Sequence, residues 1–358
     1  MERTSQEEGL APARPSKQQR GQAPLPDLFF FRVLYTGVNM STPRVIFTLV
    51  IFLAITAPIN AQSIREQDIR AELGFLASDA MQGRGSGTVF ERIAAEYIGS
   101  QFQQFGLEPG GDTDSAGNKS FVQRVPVATA ASGATWNVIG VLRGTDQREA
   151  IMLSAHLDHL GVNDTAPGDD KIFNGADDDG SGSVAVMELA RALAAGKRPR
   201  RTIYFVCFGS EERRGLGSRH FIDNPPVPLT QIVADLQFEM LGRPDPKVAA
   251  GKLWLTGFER SNLGPELAKQ GAALVADPHP EQRFFQRSDN FPLALRGVIA
   301  HTVSSFGLHT DYHRVSDDVS KIDFPFMTRS INSLVRPIQW LANSDFRPEW
   351  LAGQAPSR

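Results

Sequence analysis

The chain has 358 residues, 41% of them hydrophobic and 22% charged, with a formal net charge of −3. This is the composition of a soluble globular protein large enough for one sizeable α/β domain or two modest ones, and it offers no broad basic surface for nucleic acid. Cys207 is the single cysteine, so no intramolecular disulfide can form. Its place inside the apolar run YFVCF predicts a small core residue in a strand.

Residues 1–40 begin rich in Gln, Pro, Arg and Glu and then turn apolar at LFFFRVLY without a clear period. From Met40 the pattern sharpens: Met-Ser-Thr-Pro-Arg44, an apolar run of 13 residues (45–57), then Pro-Ile-Asn-Ala61-Gln62. A short basic start, an apolar stretch and a small residue before a polar segment predict a secretory signal cut after Ala61. The apolar run falls short of the about 20 residues a membrane span needs, and no cysteine stands near the cut to receive a lipid. A signal of normal length would start at Met40, which makes 1–39 an expected annotation artefact. The expected organisation is therefore an extension and signal peptide over 1–61, a single domain without an inserted domain over 62–345, and a frayed tail over 346–358. A secreted or periplasmic protein follows, with no stable membrane partner after cleavage.

From Gln62 the chain reads as helix, glycine-rich loop, helix. Ile64, Ile69, Leu73 and Leu76 recur at helical spacing, as do Ile93, Ala94, Tyr97, Ile98 and Phe102. Gly106 and Pro109-Gly-Gly111 close the second helix. FVQRVPVATA, TWNVIGVLRG and AIMLSAHLDH read as successive strands. VAVMELARALAAG is an amphipathic helix, and TIYFVCFGSEE is the uninterrupted apolar run of a central strand covered on both faces. A short helix (GLGSRHFIDN), strands at IVADLQFEMLGR and KLWLTGF, a helix over 262–270 and a loop of low regularity come next. Ser288-Asp289-Asn290 is expected to cap a short helix, VIAHTVSSF is a further strand, and 323–343 is the C-terminal helix. Helices alternating with buried strands and no internal repeat predict an α/β fold with a doubly wound, mostly parallel sheet.

Metal-type side chains collect where these strands end. The strand at 150–156 stops on His156-Leu-Asp158, whose side chains, two apart, face the same way. A histidine ligand needs a partner for its other ring nitrogen, and Asp158 offers a carboxylate for it. Gly175-Ala-Asp177-Asp178-Asp179-Gly-Ser-Gly182 follows as an acidic turn into a helix. The next strand ends on Glu211-Glu212, the one after on Glu239, and His313 lies in HTDYHRVSDD. Adjacent glutamates leaving a strand can aim differently, one at a metal and one at a water. Nitrogen and oxygen donors without thiolate suit zinc ahead of manganese or cobalt.

These segments, together with Tyr312-His313, Asp317 four residues on, and the Met-Gln-Gly-Arg of the helical lead-in, resemble metallopeptidase family twenty-eight in the right order across roughly 66–342. That family comprises co-catalytic zinc aminopeptidases and has glutamate carboxypeptidase and glutaminyl cyclase among its relatives. The resemblance implies two zinc ions per chain, with His156 on one and Asp178 bridging both. In the family the bridging aspartate stands three before the serine, which selects Asp178 over its neighbours. It implies Glu212 on the second zinc beside Glu211 as general base, Glu239 completing the His156 side and His313 the Glu212 side. Many members carry aspartate where this chain has Glu239, a change of reach but not of charge. Tyr312 resembles a tyrosine that stabilises the oxyanion in some members, and Asp158 is expected to orient His156. The implied reaction is hydrolysis of N-terminal residues from peptides with a free N-terminus. Two rivals are a glutaminyl-cyclase-like transferase with a single zinc and a non-catalytic binding protein on the same scaffold.

Plainer roles are expected elsewhere. His159, His220, His279, His301 and His309 read as hydrogen-bonded structural residues. Asp177 and Asp179 read as solvated turn residues and helix-cap acids. Gly180 and Gly182 give only a weak phosphate-loop signal, since three adjacent aspartates would repel phosphate.

Overall fold

The computed structural model describes residues 63–130 and 132–357, so the extension and signal sequence expected over 1–61 lie outside the described residues. The strands are β1 (Glu108–Pro109), β2 (Val122–Pro126), β3 (Ala134–Leu142), β4 (Asp146–His156), β5 (Gly161–Val162), β6 (Ile172–Phe173), β7 (Arg201–Phe208), β8 (Ile232–Phe238), β9 (Leu253–Leu255), β10 (Leu274–Ala276) and β11 (Ile299–Ser304). All but β5 and β6, which pair with each other, join one sheet in the order β1-β3-β7-β4-β8-β11-β9-β10, with β2 on β3. Its centre is parallel: β7, β8 and β11 run with β4. Antiparallel pairs flank that centre, β3 on β7 and β9 on β11. The apolar runs at the centre exist because both faces are covered. Ile151, Leu153 and Ala155 of β4 and Phe205 and Cys207 of β7 face one core, while Met152, Tyr204, Val206 and Phe208 alternate into the other.

The first core is roofed by helices α1 (Glu66–Leu76), α2 (Val89–Gln104), α3 (Gly182–Ala194) and the last helix, Phe324–Asn343, which touch one another across it. The other face carries the short helices Leu216–Asp223 and Asn290–Ala294. α3 is buried along nearly its whole length. Burial thus extends past the apolar face expected of an amphipathic helix and includes Glu188, which pairs with Arg191, and each fully buried Leu, Ile or Phe contributes about 1.5–3 kcal/mol. Cys207 is buried in the first core, where burial pushes its thiol pKa up, so it is the inert core residue its context predicts. Among the described residues no helix is long and apolar enough to cross a membrane.

Three local expectations need correction. The irregular loop after 270 contains β10, because Leu274 and Val275 extend the sheet edge alongside β9. The tail expected to fray from 346 is held by specific bonds. Leu351 donates its amide to the Arg260 carbonyl at 2.8 Å, and the Trp350 ring packs on His301 with centroids 5.2 Å apart. Asp289 stands at the helix start expected of a cap, but no side chain there caps the helix. The Asp289 carboxylate is taken by the Ser218 hydroxyl, and Asn290 bonds the Phe285 carbonyl and the Thr302 hydroxyl.

Candidate metal centre

β7, β4, β8 and β11 are parallel neighbours, so their carboxyl ends open along one edge, the place where α/β sheets form their crevices. His156 is the last residue of β4, Glu211 and Glu212 follow β7, Glu239 follows β8, and His313 lies in the loop after β11. Asp178 arrives from the turn before α3.

The His156 ring is buried with Nε2 3.3 Å from Asp178 Oδ1. Its Nδ1 lies 3.1 Å from the backbone oxygen of Asp158 and 3.7 Å from that residue's carboxylate. The histidine's second nitrogen therefore does meet Asp158, but through the carbonyl rather than the expected carboxylate. The carboxylate is committed elsewhere: Oδ2 accepts the Ser86 hydroxyl, and Oδ1 accepts the Glu211 amide at 2.9 Å.

On the other side of Asp178, His313 Nε2 lies 3.2 Å from Asp178 Oδ2 and 3.2 Å from Glu212 Oε1. His159 competes for the same place. Its Nδ1 is 2.9 Å from Glu212 Oε1 and 3.8 Å from Asp178 Oδ2. The plain structural role expected for His159 is thus corrected, and the signal was present in the sequence as the second histidine of His156-Leu-Asp158-His159. The other histidines behave as expected. His279 pairs with Asp245 at 2.8 Å, His309 with Asp177 at 3.0 Å, and His301 lies between Ser261 and the Thr256 carbonyl.

Two donor clusters result, His156–Asp178–Glu239 and His159–Asp178–Glu212, each with its atoms within 4.8 Å of one another. They share Asp178. Whether they fit metal can be judged from atoms that make no well-formed hydrogen bond. Asp178 Oδ2, Glu212 Oε1 and both ring nitrogens of His159 are buried in that state, the carboxylate oxygens approached by the rings of His159 and His313. Buried carboxylates crowded in this way are costly unless a cation joins them. The donor set fits two ions bound by nitrogen and oxygen, and it contains no thiolate.

Asp177 and Asp179 flank this bridge but are fully buried, not solvated. Asp179 accepts the amides of His156 at 3.1 Å, Gly182 at 3.0 Å and Met240 at 3.2 Å, so it caps α3 and also ties β4 to the end of β8. Asp177 accepts the Gly242 amide at 2.7 Å and pairs with Arg243 at 3.3 Å. Gly182 is glycine for a steric reason, since a Cβ there would collide with the Asp179 carboxylate and the Phe238 carbonyl. The Asp178 backbone is fixed by Asp317, whose Oδ2 accepts its amide at 3.1 Å.

Glu211 and Glu212 do diverge as two glutamates leaving a strand can. Glu212 turns to the histidines, and its pairing with His159 and His313 outweighs burial and Asp178, holding its pKa below the usual range. Glu211 turns to a cleft that Glu239 and Tyr312 also line. Burial, opposed by His156 but reinforced by Asp289, Glu239 and Glu212, holds its carboxyl well above the ordinary range. The Tyr312 ring stacks on His313 with centroids 3.9 Å apart, and burial pushes its hydroxyl pKa up.

Several supporting residues were not singled out in the sequence. Arg84, of the Met-Gln-Gly-Arg segment, is fully buried and donates to the carbonyls of Leu76, Leu157, Asn174 and Gly175, which clamps the β4 end to the acidic turn. Glu91 accepts the amides of Gly87 at 2.6 Å and Ser210 at 3.1 Å, which holds the turn that launches Glu211. A helix residue such as Glu91 carries no local signal for such a role, because its partners lie far away in the chain.

The sheet and the paired donor clusters define an α/β protein with a candidate two-metal centre at the carboxyl edge of its parallel strands. The chain belongs to Peptidase family M28, whose model matches residues 137–336. Leupeptin-inactivating enzyme 1 of Streptomyces exfoliatus is 33% identical over 198 residues, which are 54% of this chain and 40% of that protein, so the chain spans less than half of that relative. The LapA aminopeptidase of Legionella pneumophila superposes with a TM-score of 0.60 at 24% identity, covering 80% of this chain and 75% of that one. The glutaminyl cyclase of Porphyromonas gingivalis gives a TM-score of 0.60 at 18% identity, covering 78% of this chain and 99% of that one. These two structures share the fold.

Proposed function

We propose that the chain is an exported zinc aminopeptidase that removes N-terminal residues from peptides with a free N-terminus. The observation that carries this reading is the pair of donor clusters sharing Asp178, with the unengaged carboxyl of Glu211 in the adjoining cavity. His156, Asp178 and Glu239 would hold one zinc. Asp178, Glu212 and His313 would hold the other, with His159 as a further donor. Bound zinc would supply Lewis acidity toward a peptide carbonyl and a water. Glu211 is placed to take a proton from the attacking water and return it to the leaving amine. Asp158 positions Glu211 through the backbone amide, and Asp317 and Arg84 position the bridging turn. Tyr312 lies in the cavity where a hydroxyl can donate to the carbonyl oxygen as charge develops on it. Export rests on the Met40–Ala61 pattern, and sequencing the N-terminus of the mature protein tests it: a start at Gln62 is expected.

A panel of aminoacyl amides and N-acetylated peptides, with and without chelator, tests the activity. Release of unblocked N-terminal residues that chelator abolishes is expected, whereas cleavage confined to internal bonds of blocked peptides overturns the exopeptidase reading. The likeness to an entire glutaminyl cyclase chain supports a second reading, a single-zinc transferase that cyclises N-terminal glutamine. One tightly bound zinc, with pyroglutamate formed and no amide hydrolysis, would select it. A binding protein without catalysis is disfavoured by the complete donor set and the intact Glu211.

A further inference from the structure

The cavity beside Glu211 has two branches. One has Trp254, Phe284, Phe306 and Tyr312 as its aromatic wall. The other shares Glu211, Glu212, Arg287 and Ser288 with the first and opens past Arg214 and Arg219. All three arginines are exposed. Among the described residues none of the three has a carboxylate partner or a side-chain hydrogen bond, whereas Arg243 at the same edge pairs with Asp177, Asp311 and Asp317. Arg287 keeps its place by lying over the Phe284 ring, 4.9 Å from the centroid, which leaves its donors free. Arg214 belongs to the same tight loop as Glu211 and Glu212, closed by the Gly215 amide on the Glu211 carbonyl at 3.0 Å, and its φ of 69° is one that non-glycine residues seldom adopt. Of the acids in this branch, Asp289 is buried and accepts the Ser218 hydroxyl, and Glu211 and Glu212 belong to the stretch shared with the first branch, so the charge at the exposed end is that of the guanidinium groups.

We infer that the branch lined by Arg214, Arg219 and Arg287 receives a carboxylate of the substrate on the leaving-group side of the scissile bond, which makes the enzyme selective for short or acidic peptides. This rests on the aminopeptidase reading above. Guanidinium groups bind carboxylate through paired N–H donors, and a cleft of one charge sign also gathers oppositely charged substrates from solution. The carboxylate can belong to the chain terminus of a dipeptide or to an acidic side chain following the cleaved residue.

The test uses the zinc-loaded full chain and four dipeptides with one N-terminal residue, chosen from those the amide panel cleaves, or leucine if it cleaves none. The second residue is alanine amide, alanine with a free carboxylate, aspartate amide or lysine amide. Cleavage of either carboxylate peptide at least 10-fold more efficiently than alanine amide is expected, with the lysine peptide slowest. The alanine and aspartate arms tell which carboxylate is read. Arg287→Gln and Arg219→Gln should each shrink the ratio several-fold, and added salt should shrink it too. The same peptides titrated by calorimetry into Glu211→Gln, where turnover is slowed by orders of magnitude, report binding apart from hydrolysis. Equal cleavage and equal binding across the four overturn the inference and leave the aminopeptidase reading standing. Ordered binding without any hydrolysis by the unmodified chain overturns the aminopeptidase reading and leaves the cleft assigned.

Discussion

The Asp158 carboxylate accepts the backbone amide of Glu211 at 2.9 Å, so the loop that ends β4 holds the loop that ends β7. One residue therefore links the His156 side of the metal centre to the group proposed to move the proton. An asparagine in its place would keep one acceptor but turn an amide toward either the Ser86 hydroxyl or the Glu211 N–H. Asp158→Asn is expected to lower kcat about 10–100-fold, the usual cost of losing such a supporting hydrogen bond, while KM changes little. Steady-state kinetics alongside zinc content measured on the same sample check this. An unchanged kcat would remove Asp158 from the positioning role.

Glu211→Gln separates proton transfer from metal binding. The glutamine keeps the shape but cannot accept the proton, so kcat should fall about 10²–10⁴-fold, and zinc content should stay as in the unmodified protein. Loss of one zinc in this variant would instead make Glu211 a ligand.

Part of this centre is legible in the sequence because His156, Glu212 and Glu239 stand at or just past the ends of strands, and parallel neighbours bring those ends to one edge. The fold followed from the same regularity, since the runs at β4 and β7 are apolar without interruption only if helices cover both faces. What was not legible depends on contacts between distant segments. Asp179 reads locally as an acid at a helix start, and only the folded chain shows it joining His156, Gly182 and Met240. His159 reads as structural because a lone histidine is ordinarily satisfied by neighbours, whereas in the folded chain its buried Nδ1 lies 2.9 Å from the Glu212 carboxylate and its Nε2 has no hydrogen-bond partner. Asp289 looked like a cap because its position fits one, but Ser218 on a different helix takes its carboxylate.

His159 and His313 both approach Glu212, which leads to different expectations for the two rings. His313→Gln should release or greatly weaken one of two zinc ions, with activity following zinc. His159→Gln should weaken the same ion by a smaller factor, about 10–100-fold, and excess zinc should restore its activity. Zinc titration with a competing chelator reads both affinities. Equal affinities for unmodified protein and His159→Gln would mean that His159 serves Glu212 alone.

His301 gives a pH dependence that does not involve the metal centre. The ring is fully buried between the Ser261 hydroxyl at 2.8 Å and the Thr256 carbonyl at 2.7 Å, and burial lowers its pKa from 6.5 to about 4. Below pH 6.5 the unfolded chain binds a proton that the folded chain refuses until about pH 4. The unfolded state thus holds more protons in that window, so this residue's contribution is complete above pH 6.5 and is lost as the pH falls toward 4. At about 1.4 kcal/mol per pKa unit the loss is bounded at about 3.5 kcal/mol. Urea unfolding from pH 7.5 down to 4 should show a slope shallower by up to one proton in His301→Asn than in the unmodified protein. The slope, not the absolute stability, is the readout, because the substitution also removes the Ser261 contact. Parallel pH profiles for the two proteins would show that His301 titrates alike folded and unfolded.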